Sequence, residues 1–506
     1  MIAVLLIWIP VISGLACFFL PKGNAARLFA LFSSVVILLV SVLGLTVFND
    51  PVYLQKKYEW LPVLGSTFFV KLDGIGQVLT LLTAVAFPII FVSTWNHEYK
   101  NASRFFALML LTQAGLMGVF VAMDALLFYF FWELALIPAY FLCSIWGGER
   151  RIPVTFKFFI YTFIGSLLML VAIIYIYNGT SVKSFDISAF YSVVFSSNTQ
   201  GWLFWLFFVA FAIKMPVFPF HTWQPDTYEQ SPTAVTMVLS GLMVKMGLYG
   251  LIRWLLPVVP VGVNNWAVSV SFLAVIGIVY ASLIALKQND LKRLVAYSSI
   301  AHMGLMVLAV FSNKEAGMQG AVMQMFNHGI NIIGLWIVVE LIEQQFGTRK
   351  MSELGGIAQK APALAILFVV VALANIALPL TNGFVGEFLM FNGIFTSGAY
   401  DGMYTLFGRW QFNTSSLSLI FTVLAGVGII LSAVYMLNAI QKVLYGDTVQ
   451  RTAMTTDIKG NEKMILGVIV CIILFLGVYP QPLLDLPKEA IESVLKEADI
   501  SHLLKK

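Results

Sequence analysis

Six ionisable side chains lie deep inside long apolar stretches of this sequence, where charged residues are rare. They are two glutamates, two lysines and two histidines: Glu133, Lys214, Lys245, His302, His328 and Glu387. A charge held at mid-membrane costs at least about 2.5–3.5 kcal/mol. The two glutamates and two lysines would therefore cost about 10 kcal/mol together if all were charged and unpaired. Such groups must pair, lose their charge or contact internal water.

The types of these residues are suited to proton transfer. Burial favours the neutral forms of lysine and glutamate, whereas an ion pair favours the charged forms, so a change in a neighbour's charge can move a proton. Histidine titrates near neutral pH without help. The pattern predicts a proton relay. The alternative is that the residues form static ion pairs that hold helices together, with each histidine hydrogen-bonded to a neighbouring helix.

Helix-breaking residues stand beside two of the six. Lys214 begins the sequence Lys-Met-Pro-Val-Phe-Pro, and Glu387 follows a stretch that contains Pro379, Gly383 and Gly386. Proline removes a backbone donor and kinks a helix. Interrupted helices in corresponding positions of two halves indicate an ion path in transporters built from repeats.

The composition places the elements that carry these residues in a membrane. Of 506 residues, 59% are hydrophobic and 11% are charged, against about 25% charged in soluble domains. At about 20 residues per span, the sequence predicts an all-α polytopic protein with about fourteen transmembrane helices. They lie near residues 2–20, 28–48, 75–95, 104–122, 124–146, 154–178, 201–221, 232–256, 265–286, 294–311, 319–345, 362–397, 415–445 and 463–480.

The two interrupted segments are the seventh and twelfth predicted spans. Their spacing predicts two inverted five-helix repeats, spans 4–8 and 9–13, because an odd number of spans reverses the second copy. The predicted domains are residues 1–103 with three spans, 104–256 and 257–445 with one repeat each, and 446–506 with the last span and a tail. After Pro487 the tail has the apolar spacing of a short amphipathic helix on the membrane or on a partner. A frayed charged tail is the alternative.

The basic residues predict the orientation of the chain. The odd-numbered loops carry 17 Lys and Arg residues and the even-numbered loops carry 7, with Arg253 counted among the latter. This bias places the odd loops in the cytoplasm and both termini on the outer, periplasmic side.

The apolar N-terminus indicates a retained first helix rather than a cleaved signal peptide. Cys17, Cys143 and Cys471 are far apart, so disulfides, zinc and iron–sulfur ligation have little support.

Three stretches resemble the antiporter-like subunits of respiratory complex I, which are similar to multisubunit cation/proton antiporter chains. The first runs from Asp124 through Phe-Trp-Glu133 to Pro138. The second runs from Lys214 through Pro-Phe-His-Thr-Trp-Gln-Pro-Asp226 to Lys245-Met-Gly-Leu-Tyr-Gly, and the third from Asp290 to His302-Met-Gly. The sequence departs from the family's usual Leu-Pro-Asp-Ala-His at Gln224–Tyr228, where Tyr228 replaces the histidine.

The stretch Pro-Leu-Thr-Asn-Gly-Phe-Val-Gly-Glu387-Phe resembles the M-type chain, the counterpart of mitochondrial subunit four, because the L- and N-type chains and the antiporters usually carry lysine there. The resemblance implies that Glu133 and Lys214 form a switching pair and that Lys245 is the central relay. It also implies that His302 and His328 continue a hydrated axis to Glu387, the exchange group toward the periplasm. Asp124 and Glu340 are weaker candidates, and Asp124 has the position of a helix cap.

The function implied is proton translocation in the membrane arm of NADH:quinone oxidoreductase of a bacterial inner membrane. The chain has no phosphate loop, dinucleotide fingerprint or cysteine cluster. No cofactor is therefore expected in this chain, and NADH, FMN, iron–sulfur clusters and quinone are expected in partner subunits. The expected partners are membrane subunits, especially the L- and N-type chains, and lipid, with no nucleic acid. The alternatives are a subunit of a multisubunit Na⁺/H⁺ antiporter or of a membrane-bound hydrogenase, or a scaffold that moves no protons.

Overall fold

Long helices dominate the computed structural model, which describes residues 1–21, 24–400, 402–406, 410–414, 416–453 and 456–499. Within those residues, eleven helices are long and apolar enough to cross a membrane. Each predicted span coincides with one helix or with two helices joined by a break. The predicted all-α polytopic architecture is confirmed.

The N-terminal part combines three long helices with one hairpin that was not predicted. Strands β1 and β2 pair antiparallel, from Gln55 opposite Lys71 to Leu61 opposite Ser66. Gly65 has a φ of 68° and makes the turn, where a residue without Cβ avoids strain. The elements are α1 (Ile2–Cys17), α2 (Asn24–Thr46), α3 (Pro51–Leu54), β1 (Gln55–Leu61), β2 (Ser66–Lys71) and α4 (Gly74–Ser93).

The next five spans contain the first broken helix. Helix α9 ends at Lys214 because Pro216 has no N–H, and the indole of Trp223 donates to the freed carbonyl of Ile213 at 2.9 Å. Residues 233–258 form one continuous span that includes two π-helical turns, Leu239–Met243 and Leu251–Leu255. The helices are α5 (Ala102–Val121), α6 (Ala125–Trp146), α7 (Arg151–Gly179), α8 (Ile187–Ser192), α9 (Ser197–Lys214), α10 (Gln224–Gln230), α11 (Thr233–Val238), α12 (Val244–Gly250) and α13 (Leu256–Val258).

The following five spans contain the second broken helix. Its break holds Ala377 and Leu380 at φ values of 56° and 73°, a region that non-glycine residues rarely adopt. The elements are α14 (Pro260–Lys287), α15 (Leu291–Phe311), α16 (Glu315–Phe346), α17 (Ile357–Lys360), α18 (Pro362–Asn375), α19 (Asn382–Phe395), β3 (Gly402–Leu406), β4 (Trp410–Thr414) and α20 (Leu417–Leu444).

One feature of the backbone recurs in these two groups of spans. Asp124 caps α6 and forms an isolated bridge with Asp186, after the third helix of its group. Asp290 caps α15 and forms an isolated bridge with Lys350, again after the third helix. This recurrence supports the predicted repeat of five helices, which stays a prediction.

The C-terminal part is α21 (Gln450–Ala453), α22 (Gly460–Val478), α23 (Gln481–Asp485) and α24 (Lys488–Ala498). The amphipathic helix forms as expected, but its location differs from both expected locations. Ile491 and Val494 are buried, and α24 packs on α4, α13 and α16 of the same chain. The apolar face thus covers this protein itself rather than lipid or a partner. The last residues of the tail, 500–506, lie outside the described part.

Candidate functional site

Lys245 lies fully buried on α12, between the two π-helical turns. Its Nζ donates to the carbonyl oxygen of Ser240 at 2.9 Å, and a hydrogen bond of 2.7 Å joins it to Nδ1 of His328. Trp336 donates its indole N–H to the Ser240 hydroxyl at 2.8 Å and holds that turn in place. Insertions of this kind into α-helices are frequent at functional sites. The predicted central lysine therefore has a histidine as its direct neighbour.

Two histidines connect this lysine to the predicted terminal glutamate. The ring centres of His328 and His302 are 5.6 Å apart, with the rings edge to face. Nδ1 of His302 lies 3.4 Å from Oε1 of Glu387. Lys245, His328, His302 and Glu387 come from four helices, α12, α16, α15 and α19. Below, they are called the four-residue row.

Asparagines on α16 fix the broken helix that carries Glu387. Asn327 donates to the carbonyl of Asn382 at 2.7 Å, and Asn331 donates to the carbonyl of Ala374 at 3.3 Å. These bonds fix both sides of the break to α16. Because His328 lies between the two asparagines on the same helix, the break and the row are held by one surface of α16.

Several buried polar atoms along the row have no hydrogen-bond partner within the described protein. They are Nε2 of His302 and of His328, Oδ1 of Asn327 and of Asn331, Oε1 of Gln324, and both side-chain polar atoms of Asn382. Buried polar groups are normally paired, and those without a protein partner bind ordered water. We therefore expect the row to be hydrated.

Glu133 and Lys214, the predicted switching pair, are not joined by an ion pair within the described residues. Within the described residues, neither Oε1 of Glu133 nor Nζ of Lys214 has a hydrogen-bond partner, although both atoms are buried. Nζ of Lys214 lies 5.5 Å from the ring centre of Trp132, a distance that favours a cation–π contact. Glu133 is only partly buried and shares the outward side of α6 with the exposed Phe130.

The weaker sequence candidates lie away from the row. The carboxylate of Asp124 accepts from the backbone N–H groups of Leu126 and Leu127, which is the capping role considered for it. Glu340 lies 3.2 Å from Nε2 of His97 and accepts from the hydroxyl of Thr233, near the end of α16. Tyr228, which replaces the family's histidine, is completely buried.

One buried charge was assigned wrongly from the sequence. Arg253 was counted as a loop residue, but it is 6% exposed and its guanidinium is paired with Asp73. Arg253 lies near the end of an apolar stretch. Because basic residues are common at the ends of spans, its position did not indicate that this one is buried. Its spacing from Lys245 and Tyr249, eight and four residues, would have placed it on the same helix face.

Comparison with known proteins gives one family match. Residues 122–412 match the family described as NADH:quinone oxidoreductase/Mrp antiporter, transmembrane. The chain is 35% identical over 505 residues to the NADH-quinone oxidoreductase subunit M of Rickettsia typhi, covering 97% of both chains. That coverage includes all six predicted proton-transfer residues.

Two solved structures share the fold. A chain of respiratory complex I from Thermus thermophilus with bound NADH matches with a TM-score of 0.86 and 28% identity, covering 98% of this chain and 100% of that one. A chain of the Mrp complex from Dietzia sp. DQ12-45-1b matches with a TM-score of 0.81 and 21% identity, covering 98% of this chain and 51% of that one. The second likeness shows the fold alone.

Proposed function

We infer that this chain, which belongs to the NADH:quinone oxidoreductase/Mrp antiporter transmembrane family, is a proton-translocating subunit of the membrane arm of an NADH:quinone oxidoreductase. Full-length relatives that carry the name NADH-quinone oxidoreductase subunit M favour this function over the antiporter alternative. The redox chemistry takes place in other subunits of the complex.

The observation that carries the function is the close succession of Lys245, His328, His302 and Glu387. A proton on Lys245 can pass to His328 along their hydrogen bond of 2.7 Å. Water or a ring rotation then bridges the two histidines, whose ring centres are 5.6 Å apart. His302 passes the proton to Glu387 at 3.4 Å. All four side chains are buried, so protons reach them only through the protein interior.

Glu133 and Lys214 act as the switch that loads the row. Their separation leaves Lys214 without a carboxylate partner and held by Trp132. Movement of Glu133 toward Lys214 would stabilise the charge on that lysine. A second positive charge near Lys245 then disfavours its protonated form, which is a coupling free energy between two sites.

The proposal includes the partner subunits and the membrane in which the chain lies. Proton movement along the row is driven by redox chemistry in partner subunits, which hold NADH, FMN, iron–sulfur clusters and quinone. This chain itself holds no cofactor. Its neighbours are the L- and N-type chains. The chain lies in a bacterial inner membrane with both termini outside, an orientation supported by the distribution of basic residues in the loops.

Replacement of Lys245 by alanine in the assembled complex tests this function. Because the row loses its first member, we expect proton pumping by the reconstituted complex to be abolished. The ratio of protons translocated to NADH oxidised is the quantity to measure, in proteoliposomes with a pH-sensitive dye.

A matched variant guards against a general loss of assembly. Lys350→Ala removes a lysine that is 62% exposed and paired with Glu353 outside the row, so its ratio should equal that of the wild type. A normal ratio in Lys245→Ala would overturn the proposed function.

A further inference from the structure

A polar cavity of about 590 Å³ enters the molecule from the face that carries the even-numbered loops. It lies between the loop before α4, the end of β2 and the C-terminal helix α24. Its lining includes Lys71, Asp73, Gln77, Arg253, Asp485 and Glu489. A cavity with this lining admits water, and its inner wall is the Asp73–Arg253 ion pair.

The helix behind that wall leads to Lys245. Lys245, Tyr249 and Arg253 follow each other at four-residue intervals along the same span. Tyr249 is completely buried, and the guanidinium carbon of Arg253 lies 5.9 Å from its ring centre. Eight residues correspond to about 12 Å along a helix. Along this span, Tyr249 and Arg253 therefore lie between Lys245 and the cavity.

Arginine has the wrong chemistry for a proton carrier at this position. The guanidinium does not lose its proton in proteins and has no acceptor atom. A fixed positive charge in a narrow path raises the energy of any approaching proton, as arginines do in channels that exclude protons. Asp73 holds this charge in place and also caps α4.

We propose that Arg253 is an electrostatic barrier that stops protons in the outer cavity from returning to Lys245. The inference rests on the proposed function, because a barrier is needed only where Lys245 carries protons. Without it, protons that have accumulated outside would flow back to the relay and the redox energy would be lost.

The charged and titratable groups around Arg253 come from several elements. Asp73 pairs with it from the loop before α4, and Tyr249 lies one turn before it on its own span. Tyr191 on α8 donates its hydroxyl to the Arg253 carbonyl at 2.7 Å. Lys71 on β2 and two acids of the C-terminal part, Asp485 and Glu489, line the cavity. Among the charged residues that line the cavity, Arg253 is the one that lies on the same span as Lys245.

The substitution Arg253→His tests the barrier within a single protein sample. The purified complex is placed in liposomes without NADH, a pH gradient is imposed, and the passive decay of that gradient is followed at several values of pH. Histidine is charged below and neutral above about pH 6.5. A unit charge about 12 Å away at an effective dielectric constant of about 20 changes proton occupancy about tenfold. We expect the leak of this variant to rise by about that factor, relative to the wild type, as the pH increases through this range.

Further variants distinguish the loss of the charge at position 253 from a general disturbance of the fold. Arg253→Lys keeps the charge and should hold the leak at the wild-type level. Asp73→Asn keeps the cap and the arginine, and should do the same. Adding Lys245→Ala to Arg253→His should remove the extra leak, because the path then lacks its relay.

Three results would overturn the barrier: a leak in Arg253→His that follows the wild type at every pH, a leak in Asp73→Asn despite the intact arginine, or an extra leak that persists without Lys245. If Arg253→His does not assemble, Arg253→Gln takes its place: it removes the charge and should leak more than the wild type at every pH, and a wild-type leak would overturn the barrier. Failure of the proposed function is recognised separately, because it appears as normal NADH-driven pumping in Lys245→Ala.

Discussion

His328 connects the two ends of the four-residue row, since it lies against both Lys245 and His302. A hydrogen bond to a charged group contributes about 1.5–3 kcal/mol, more than one between neutral groups. The bond between Lys245 and His328 is fully buried, so neither group can exchange its partner for bulk water. Transfer along the row therefore depends on this one contact.

A double-substitution experiment checks that dependence. If Lys245 and His328 act as one unit, His328→Ala, Lys245→Ala and the double variant should lower the ratio of protons to NADH to the same value. Groups in direct contact are expected to be non-additive in this way. Independent, additive losses measured for the two single variants would show that the two residues serve separate paths.

The residues of the row could be found from the sequence, but their contacts could not. A charged residue within an apolar stretch is visible in one dimension, which is why Glu387 and the lysines were identified. Whether two such residues meet depends on how each helix is rotated and how far its break displaces it. For this reason the switching role of Glu133 and Lys214 stays a prediction, and the contact between Lys245 and His328 was not foreseen.

The broken helices are the elements that give the row its geometry. The first break leaves the carbonyl of Ile213 without a helical donor, and Trp223 supplies one; at the second break Asn327 and Asn331 of α16 hold both sides. In a membrane, such carbonyls find no water unless a polar cavity reaches them. The side chains that hold the breaks are therefore as important for the position of Glu387 as the prolines that cause them.

Removal of one of these bonds should weaken the structure measurably. In Asn327→Leu the side-chain hydrogen bond to the carbonyl of Asn382 is lost, and a bond of this kind contributes about 0.5–1.5 kcal/mol. We expect a lower thermal unfolding midpoint for the purified complex, together with a lower ratio of protons to NADH. Asn178→Leu is a suitable control, because Asn178 lies in an exposed position at the end of α7. Equal midpoints for the two variants would contradict the role of Asn327.

The positions of the helices could be predicted from the sequence, whereas the β-hairpin and the π-helical turns could not. Long apolar stretches reveal spans because about 20 residues are needed to cross the bilayer, and proline marks the breaks. The hairpin of β1 and β2 escaped notice because it lies in the loop between the second and third predicted spans and its first strand, Gln-Lys-Lys-Tyr-Glu-Trp-Leu, is polar. The two π-helical turns beside Lys245 leave no residue signature that distinguishes them from an α-helix.

At the scale of the whole molecule, an ion-pair network on one face joins the two groups of five spans. Glu229 on α10 accepts from Arg293 at 3.0 Å and from Arg349 at 3.1 Å, and Arg349 also binds Asp290. Burial opposes ionisation of Asp226, but a hydrogen bond from Lys157 and the charges of Lys157 and Arg293 outweigh it and lower the pKa of Asp226. Asp226 is thus charged near neutral pH and pairs with Arg293, and the network connects the first broken helix to the second group.

The membrane class and the family follow from the sequence, because apolar composition and long matching stretches do not depend on detailed packing. The position of α24 does not, since an amphipathic helix has the same pattern whether it covers lipid, a partner or its own chain. Only the packing shows that α24 covers α4, α13 and α16.

The central claim is that protons leave this chain along the four-residue row through Glu387. The most direct measurement is the ratio of protons translocated to NADH oxidised in complexes that carry Glu387→Gln. Its control is Glu353→Gln, which alters a partly exposed carboxylate outside the row. The account predicts a ratio clearly below the wild-type value for Glu387→Gln and an unchanged ratio for Glu353→Gln. A wild-type ratio in both variants would contradict it.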